Sequence, residues 1–143
     1  MRIICRKKPK IKLLQIPSEQ VDAELKKANL KLLYPVLLDS DQPYYFIQAK
    51  YWADVFNYIY FENPMPKYIE ARIDCDDFAI WMKGLVSSYF GLNYFGIVFG
   101  NTIFGGHAWN LLRADTGLLQ FEPQTGQFFE LREQGYFPEW VII

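Results

Sequence analysis

His107-Ala108-Trp109-Asn110-Leu111-Leu112-Arg113, preceded by Gly105-Gly106, then Ala114-Asp115-Thr116-Gly117, then Leu118-Leu119-Gln120-Phe121-Glu122 reads as strand, turn and strand. The turn segment supplies the short polar residues and the glycine that a tight reversal needs, and both flanks are apolar enough for half-buried strands. Along a strand, side chains of one parity share a face, so His107 and Trp109 point one way and Ala108 and Asn110 the other. If the chain reverses around Asp115-Thr116, His107 pairs near the far end of the second strand, close to Glu122. The hairpin therefore predicts an imidazole with a carboxylate neighbour, and this is the only histidine in the chain.

Working outward, the pattern predicts further strands over 94–99, 127–131 and 140–143, all after Gly91. The first half reads as helical. Pro17-Ser18-Glu19 opens a helix in which Val21, Leu25 and Leu30 form an apolar stretch to about Leu33, broken by Tyr34-Pro35. Asp39-Ser40-Asp41-Gln42-Pro43 has a loop composition, and a second helix is predicted over 47–60. In the third, Asp74 is a good N-cap with Asp77 three residues on. Phe78, Trp81, Met82, Leu85 and Tyr89 then recur at helical spacing down to Phe90, and Gly91 is the stop. The expected fold class is α+β: N-terminal helices, with Cys75 at the start of a core helix, packed on a C-terminal antiparallel sheet. No repeat or linker divides the chain, so residues 1–143 are expected to form a single domain.

Composition narrows the function classes. Half of the 143 residues are hydrophobic (51%) and 18% are aromatic, which implies a packed core. The net charge of −1 gives no global case for nucleic acid or an anionic membrane as a partner. The run Arg6-Lys7-Lys8-Pro9-Lys10 reads as a solvated strand edge or terminus. Two cysteines make no disulfide framework, and Cys5, in the alternating Met1-Arg2-Ile3-Ile4-Cys5, reads as a small apolar strand residue. Neither a signal peptide nor a membrane-length apolar run is visible, so a cytoplasmic location is the default, alone or in a larger particle.

Cys75, His107 and Glu122, spaced 32 and 15 residues apart, are the three residue types of a thiol nucleophile system: sulfur, proton acceptor and orienting carboxylate. A thiol in the first turn of a helix faces unpaired amides and the positive end of the dipole, which favour thiolate and can hold an oxyanion. Asp74, Asp76 and Asp77 oppose this, because nearby carboxylates disfavour a further negative charge. One Cys and one His fall short of the usual zinc sets, and P-loop, dinucleotide and Gly-x-Ser-x-Gly signatures are absent. Neither metal nor cofactor is expected.

Cys75-Asp76-Asp77-Phe78-Ala79 opening a helix, Gly91-Leu92-Asn93 before a strand, His107-Ala108-Trp109, and Phe121-Glu122-Pro123-Gln124-Thr125 together resemble the transglutaminase-like superfamily, the papain-like group with a Cys-His-Asp triad. The likeness covers about Asp74 to Gly126, just over a third of the chain, with Glu122 where the family has Asp. It implies Cys75 as nucleophile, His107 as general base and Glu122 as third member of a hydrolase or acyltransferase. Such an enzyme would act on an amide, isopeptide or ester bond of a protein, peptide or small substrate through a thioester acyl-enzyme. Gln48 and Asn57 have the chemistry to complete an oxyanion hole, and Trp109 could contact substrate or simply pack. Two alternatives stand beside this. Asp-Cys-x-x-Phe at a helix start also resembles the NlpC/P60 peptidoglycan peptidases, although Asp76-Asp77 replaces Ser-Gly. The other is a non-catalytic binding or scaffold module that retains the fold, in which Cys75 would react no faster than an ordinary thiol.

Overall fold

The computed structural model describes residues 7–35 and 41–143, so Cys5 and part of the 39–43 loop lie outside the described residues. Among these residues there are eight strands and three helices: β1 (Leu14–Ile16), α1 (Ser18–Lys27), β2 (Lys31–Leu32), β3 (Tyr44–Phe46), α2 (Ala49–Glu62), α3 (Cys75–Phe90), β4 (Phe95–Thr102), β5 (Gly105–Ala114), β6 (Gly117–Glu122), β7 (Gln127–Glu130) and β8 (Tyr136–Ile142). One sheet has the order β2-β8-β4-β5-β6-β7, and β1 pairs with β3 in a second, two-stranded one. The β5–β6 turn closes on Gly117, whose φ of 131° only glycine adopts without strain. It sets Asn110 opposite Phe121 and Leu112 opposite Leu119.

Strand parity sorts the core into two layers. Val98, Trp109, Leu111 and Val141 pack with Val21 and Leu25 of α1 and with Tyr44 and Phe46 of β3. Phe95, Leu112, Ala114 and Phe121 point to the opposite side, against Trp52, Val55, Phe56 and Ile59 of α2 and Met82 and Val86 of α3. Burying each of these side chains contributes about 1.5–3 kcal/mol, so both faces of the sheet hold substantial apolar stabilisation. On the first face Glu24 of α1 accepts two bonds from Arg113, each 3.0 Å, and one from the Tyr94 hydroxyl at 2.9 Å. On the second, the fully buried Asn110 amide donates to the carbonyls of Ala79 and Gly96, each at 3.0 Å, and ties α3 to β4 and β5.

This architecture corrects the expected one. The N-terminal half is not a helical layer: strands begin before the first helix, and β2 joins the main sheet. That sheet is mixed and not antiparallel, because β2 runs parallel to β8. Helices cover both of its faces. The first helix stops at Lys27 and does not reach Leu33, because Asn29 turns left-handed (φ 57°) and releases the chain into β2. The second begins two residues late, since Gln48 is extended (ψ 147°). α3 has the predicted limits, with Asp74 and Asp77 in a reciprocal capping box and Gly91 left-handed at φ 66°. β4 and β8 outrun the predicted strands because they pair with each other from Thr102–Tyr136 to Ile97–Ile142, around an irregularity at Phe99/Gly100.

Candidate functional site

At the Gly105 end of β5, His107 Nε2 lies 2.6 Å from Glu122 Oε2. Glu122, the last residue of β6, is only 2% exposed, yet its carboxylate is well supplied with donors. The Tyr136 hydroxyl donates to the same Oε2 at 3.1 Å, and the Gln124 backbone N–H donates to Oε1 at 3.0 Å. Hydrogen bonds to both oxygens offset the cost of burying such a group. The imidazole is also held by rings: Trp109 stacks on it (centroids 5.6 Å, 23° between planes) and Tyr136 meets it edge-on at 5.7 Å.

Trp109 is in turn immobilised. It is fully buried, its Nε1–H donates to Gln120 Oε1 at 2.8 Å, and the Gln120 amide donates to the Glu130 carbonyl at 2.9 Å. Gly100 lies opposite His107 across the β4–β5 ladder. A Cβ there would collide with the Phe137 carbonyl and stand 2.9 Å from the Trp109 ring, so glycine is what lets β8 and the indole close beneath the site.

Cys75 is the first residue of α3 and is half-buried. Its thiol is pushed up, first by burial and then by the charges of Asp74 and Asp76. Bonds from the Ala108 and Asp76 amides offset part of this. The cap therefore does not favour thiolate, contrary to the expectation from the helix start. The neighbouring Asp74 carboxyl is also pushed up, chiefly by a hydrogen bond with the Asp76 side chain, with burial and the charges of Asp76 and Asp77 adding to it. Asp74, Cys75 and Asp76 offer three ligand atoms within 4.8 Å of one another, one thiol and two carboxylate oxygens. The bond to Ala108 sets the sulfur against the β5 backbone one residue from His107, whereas the imidazole lies on the Trp109 side of the sheet. His107 and Glu122 thus meet directly, and Cys75 reaches the adjoining backbone from the α3 side.

The other candidates fall elsewhere. Gln48 precedes α2, whose first amide, that of Ala49, donates to Asp115 Oδ1 at 2.8 Å, at the opposite end of β5. The seven residues from His107 to Ala114 span roughly 23 Å at 3.3 Å each, too far for Gln48 to serve the site. Asn57 is exposed on α2 and lines a separate cavity of about 400 Å³ with Phe56, Tyr60, Gln124 and Phe128. His107, Glu122 and Tyr136 line another, of about 320 Å³, under the exposed hairpin tip Ile103-Phe104. Gln124 and Thr125 line both, so the 123–126 segment separates Asn57 from His107. Sequence reasoning missed Tyr136 and the Gln124 amide. No local motif marks either, because both reach Glu122 through strand pairing and turn geometry.

No protein-family model matches the chain, and no curated protein matches it. Solved structures do. One is the PSL1a–E64 complex, with a TM-score of 0.68 at 22% identity over 91% of this chain and 50% of that one. Another is Polyporus squamosus lectin bound to the human-type influenza-binding epitope Neu5Aca2-6Galb1-4GlcNAc, with a TM-score of 0.64 at 21% identity over the same shares. The chain shares its fold with half of a lectin chain. This overturns the assignment to the transglutaminase-like superfamily and its papain-like fold, and with it the expectation of a cysteine hydrolase or acyltransferase acting on a protein or peptide. The helix-start cysteine and the His-x-Trp strand carried that resemblance over a third of the chain, whereas the lectin likeness covers nine-tenths of it. No described helix is long and apolar enough to cross a membrane.

Proposed function

We propose that this chain is a binding module, a single domain over residues 1–143. Its ligand cleft is floored by His107, Glu122 and Tyr136, and Cys75 lies beyond the Ala108 backbone from it. The observation that carries the reading is the shared fold with a chain named as a lectin. The state of Cys75 supports it: burial and two aspartates hold the sulfur as thiol, the wrong form for a nucleophile. Glycan is the ligand class to test first, because one neighbour is described with a sialylated trisaccharide. The cleft also combines ring faces with the hydrogen-bonding groups of His107, Gln124 and Thr125. A sugar ring has apolar faces and a hydroxylated edge, and such a lining matches both.

The test has two arms. The imidazole signal of the only histidine is followed by NMR while Neu5Aca2-6Galb1-4GlcNAc or its desialylated disaccharide is added. A saturable shift supports glycan binding in this cleft, and no response to either sugar overturns it. In the second arm the thiol-directed epoxide E64 is added, and Cys75 is expected to react no faster than a free thiol. Rapid capture at Cys75 that is lost in His107→Ala, together with turnover of a peptide or ester, would overturn the binding-module reading itself.

A further inference from the structure

Three donors converge on Glu122, and one of them bears on the imidazole more than the others do. The Tyr136 hydroxyl and His107 Nε2 share a single carboxylate oxygen, Oε2, at 3.1 and 2.6 Å, whereas the Gln124 amide uses Oε1. The phenol ring also packs edge-on against both His107 and Trp109, at 5.7 and 5.1 Å, and lies 4.5 Å from Phe129. Tyr136 opens β8 opposite Thr102 of β4, so its ring position is set by the sheet register and not by a flexible loop. We infer that Tyr136 is a positioning residue that sets the proton affinity of His107 through the oxygen they share.

The sign follows from the charge on that oxygen. A hydroxyl donating to Oε2 withdraws part of its negative charge and weakens its hold on an imidazolium proton at Nε2. Removing the hydroxyl returns that charge to the oxygen, and the imidazolium is held more tightly. Tyr136 can play only the donor part, because burial and the adjacent Glu122 charge push its phenol up to about 12. Among the described residues, the titratable groups shown in contact with the imidazole are Glu122 from β6 and Tyr136 from β8. From the start of α3 come Cys75, Asp74 and Asp76, beyond the Ala108 backbone. The rim hairpin, Thr102 to Gly105, carries no charge. The inference deepens the proposed role of the cleft, but its test needs no ligand, so it stands or falls separately from glycan binding.

Proton NMR of the free protein reads His107 directly, since no other histidine contributes a signal. Tyr136→Phe keeps the ring contacts and deletes the hydroxyl. The His107 titration midpoint is expected to rise by about half a pH unit or more. A fluorotyrosine at position 136, a stronger donor, is expected to move it down. Opposite shifts in the two variants support the inference. An unchanged midpoint in Tyr136→Phe with a wild-type melting curve overturns it. Should that variant fail to fold, an unchanged or raised midpoint with fluorotyrosine overturns it equally.

Discussion

The two halves of the site occupy the same end of β5 and are built on opposite physical terms. On the His107 side every polar atom of the buried carboxylate has a donor, and the imidazole is fixed between Trp109 and Tyr136. On the Cys75 side three aspartates crowd one helix start, two of them raise the neighbouring thiol, and Asp74 is itself pushed up beside Asp76. One half is preorganised and integral to the core, and the other is a strained patch of like charge at the margin. The chain order Cys-His-Glu does not by itself set the state of the thiol: burial first, and the charges of Asp74 and Asp76 after it, push it up.

Perturbing the halves should therefore have different consequences. The largest effect is expected from Trp109→Ala, which removes a fully buried indole beneath His107 and should cost about 3–5 kcal/mol in urea denaturation. A loss under about 1 kcal/mol would mean that the imidazole half is not core. Glu122→Gln should cost about 1–3 kcal/mol, because an acceptor of three bonds loses its charge. The same change should lower the His107 midpoint in an NMR titration, and a midpoint that stays put would show that the 2.6 Å pair is not an ion pair.

On the Cys75 side, Asp76→Asn should change stability by less than about 0.5 kcal/mol. It should nevertheless speed alkylation of Cys75 at pH 8 several-fold, since one charge that raises the thiol is gone. Alkylation at the wild-type rate would shift the cause wholly to burial. The smallest effect is on pH dependence. A thiol raised in the folded state is ionised more readily once unfolded, so stability falls as pH rises through the unfolded thiol value. It levels off above the folded one. Urea midpoints of wild type should decline relative to Cys75→Ala between about pH 8 and 10, and parallel curves would contradict the raised thiol.

Much of this was legible in the chain. The α3 limits follow from Asp74, the Phe78–Met82 spacing and Gly91, and the β5–β6 hairpin follows from Asp115-Thr116-Gly117, because caps and tight turns are short-range. That hairpin also put Glu122 beside His107. The parallel β2–β8 pairing was not legible, since two residues carry no periodicity and their partner lies more than a hundred positions away. Gln48 and Asn57 were misplaced for a similar reason. Residue chemistry names a candidate, but only the path of α2 decides which end of β5 it meets.

The sequence alone determined the local units: a capped helix that begins at Cys75, a hairpin that pairs His107 with Glu122, and enough apolar residues to cover a sheet. Tertiary structure decided what those units amount to. It placed helices on both faces of a mixed sheet, delivered Tyr136 from β8 to the shared carboxylate oxygen, and left the Cys75 sulfur among aspartates on the α3 side. The physical reason is range. Capping and turn energies depend on residues a few positions apart, whereas burial, charge proximity and strand partnership depend on which distant segments the core brings together.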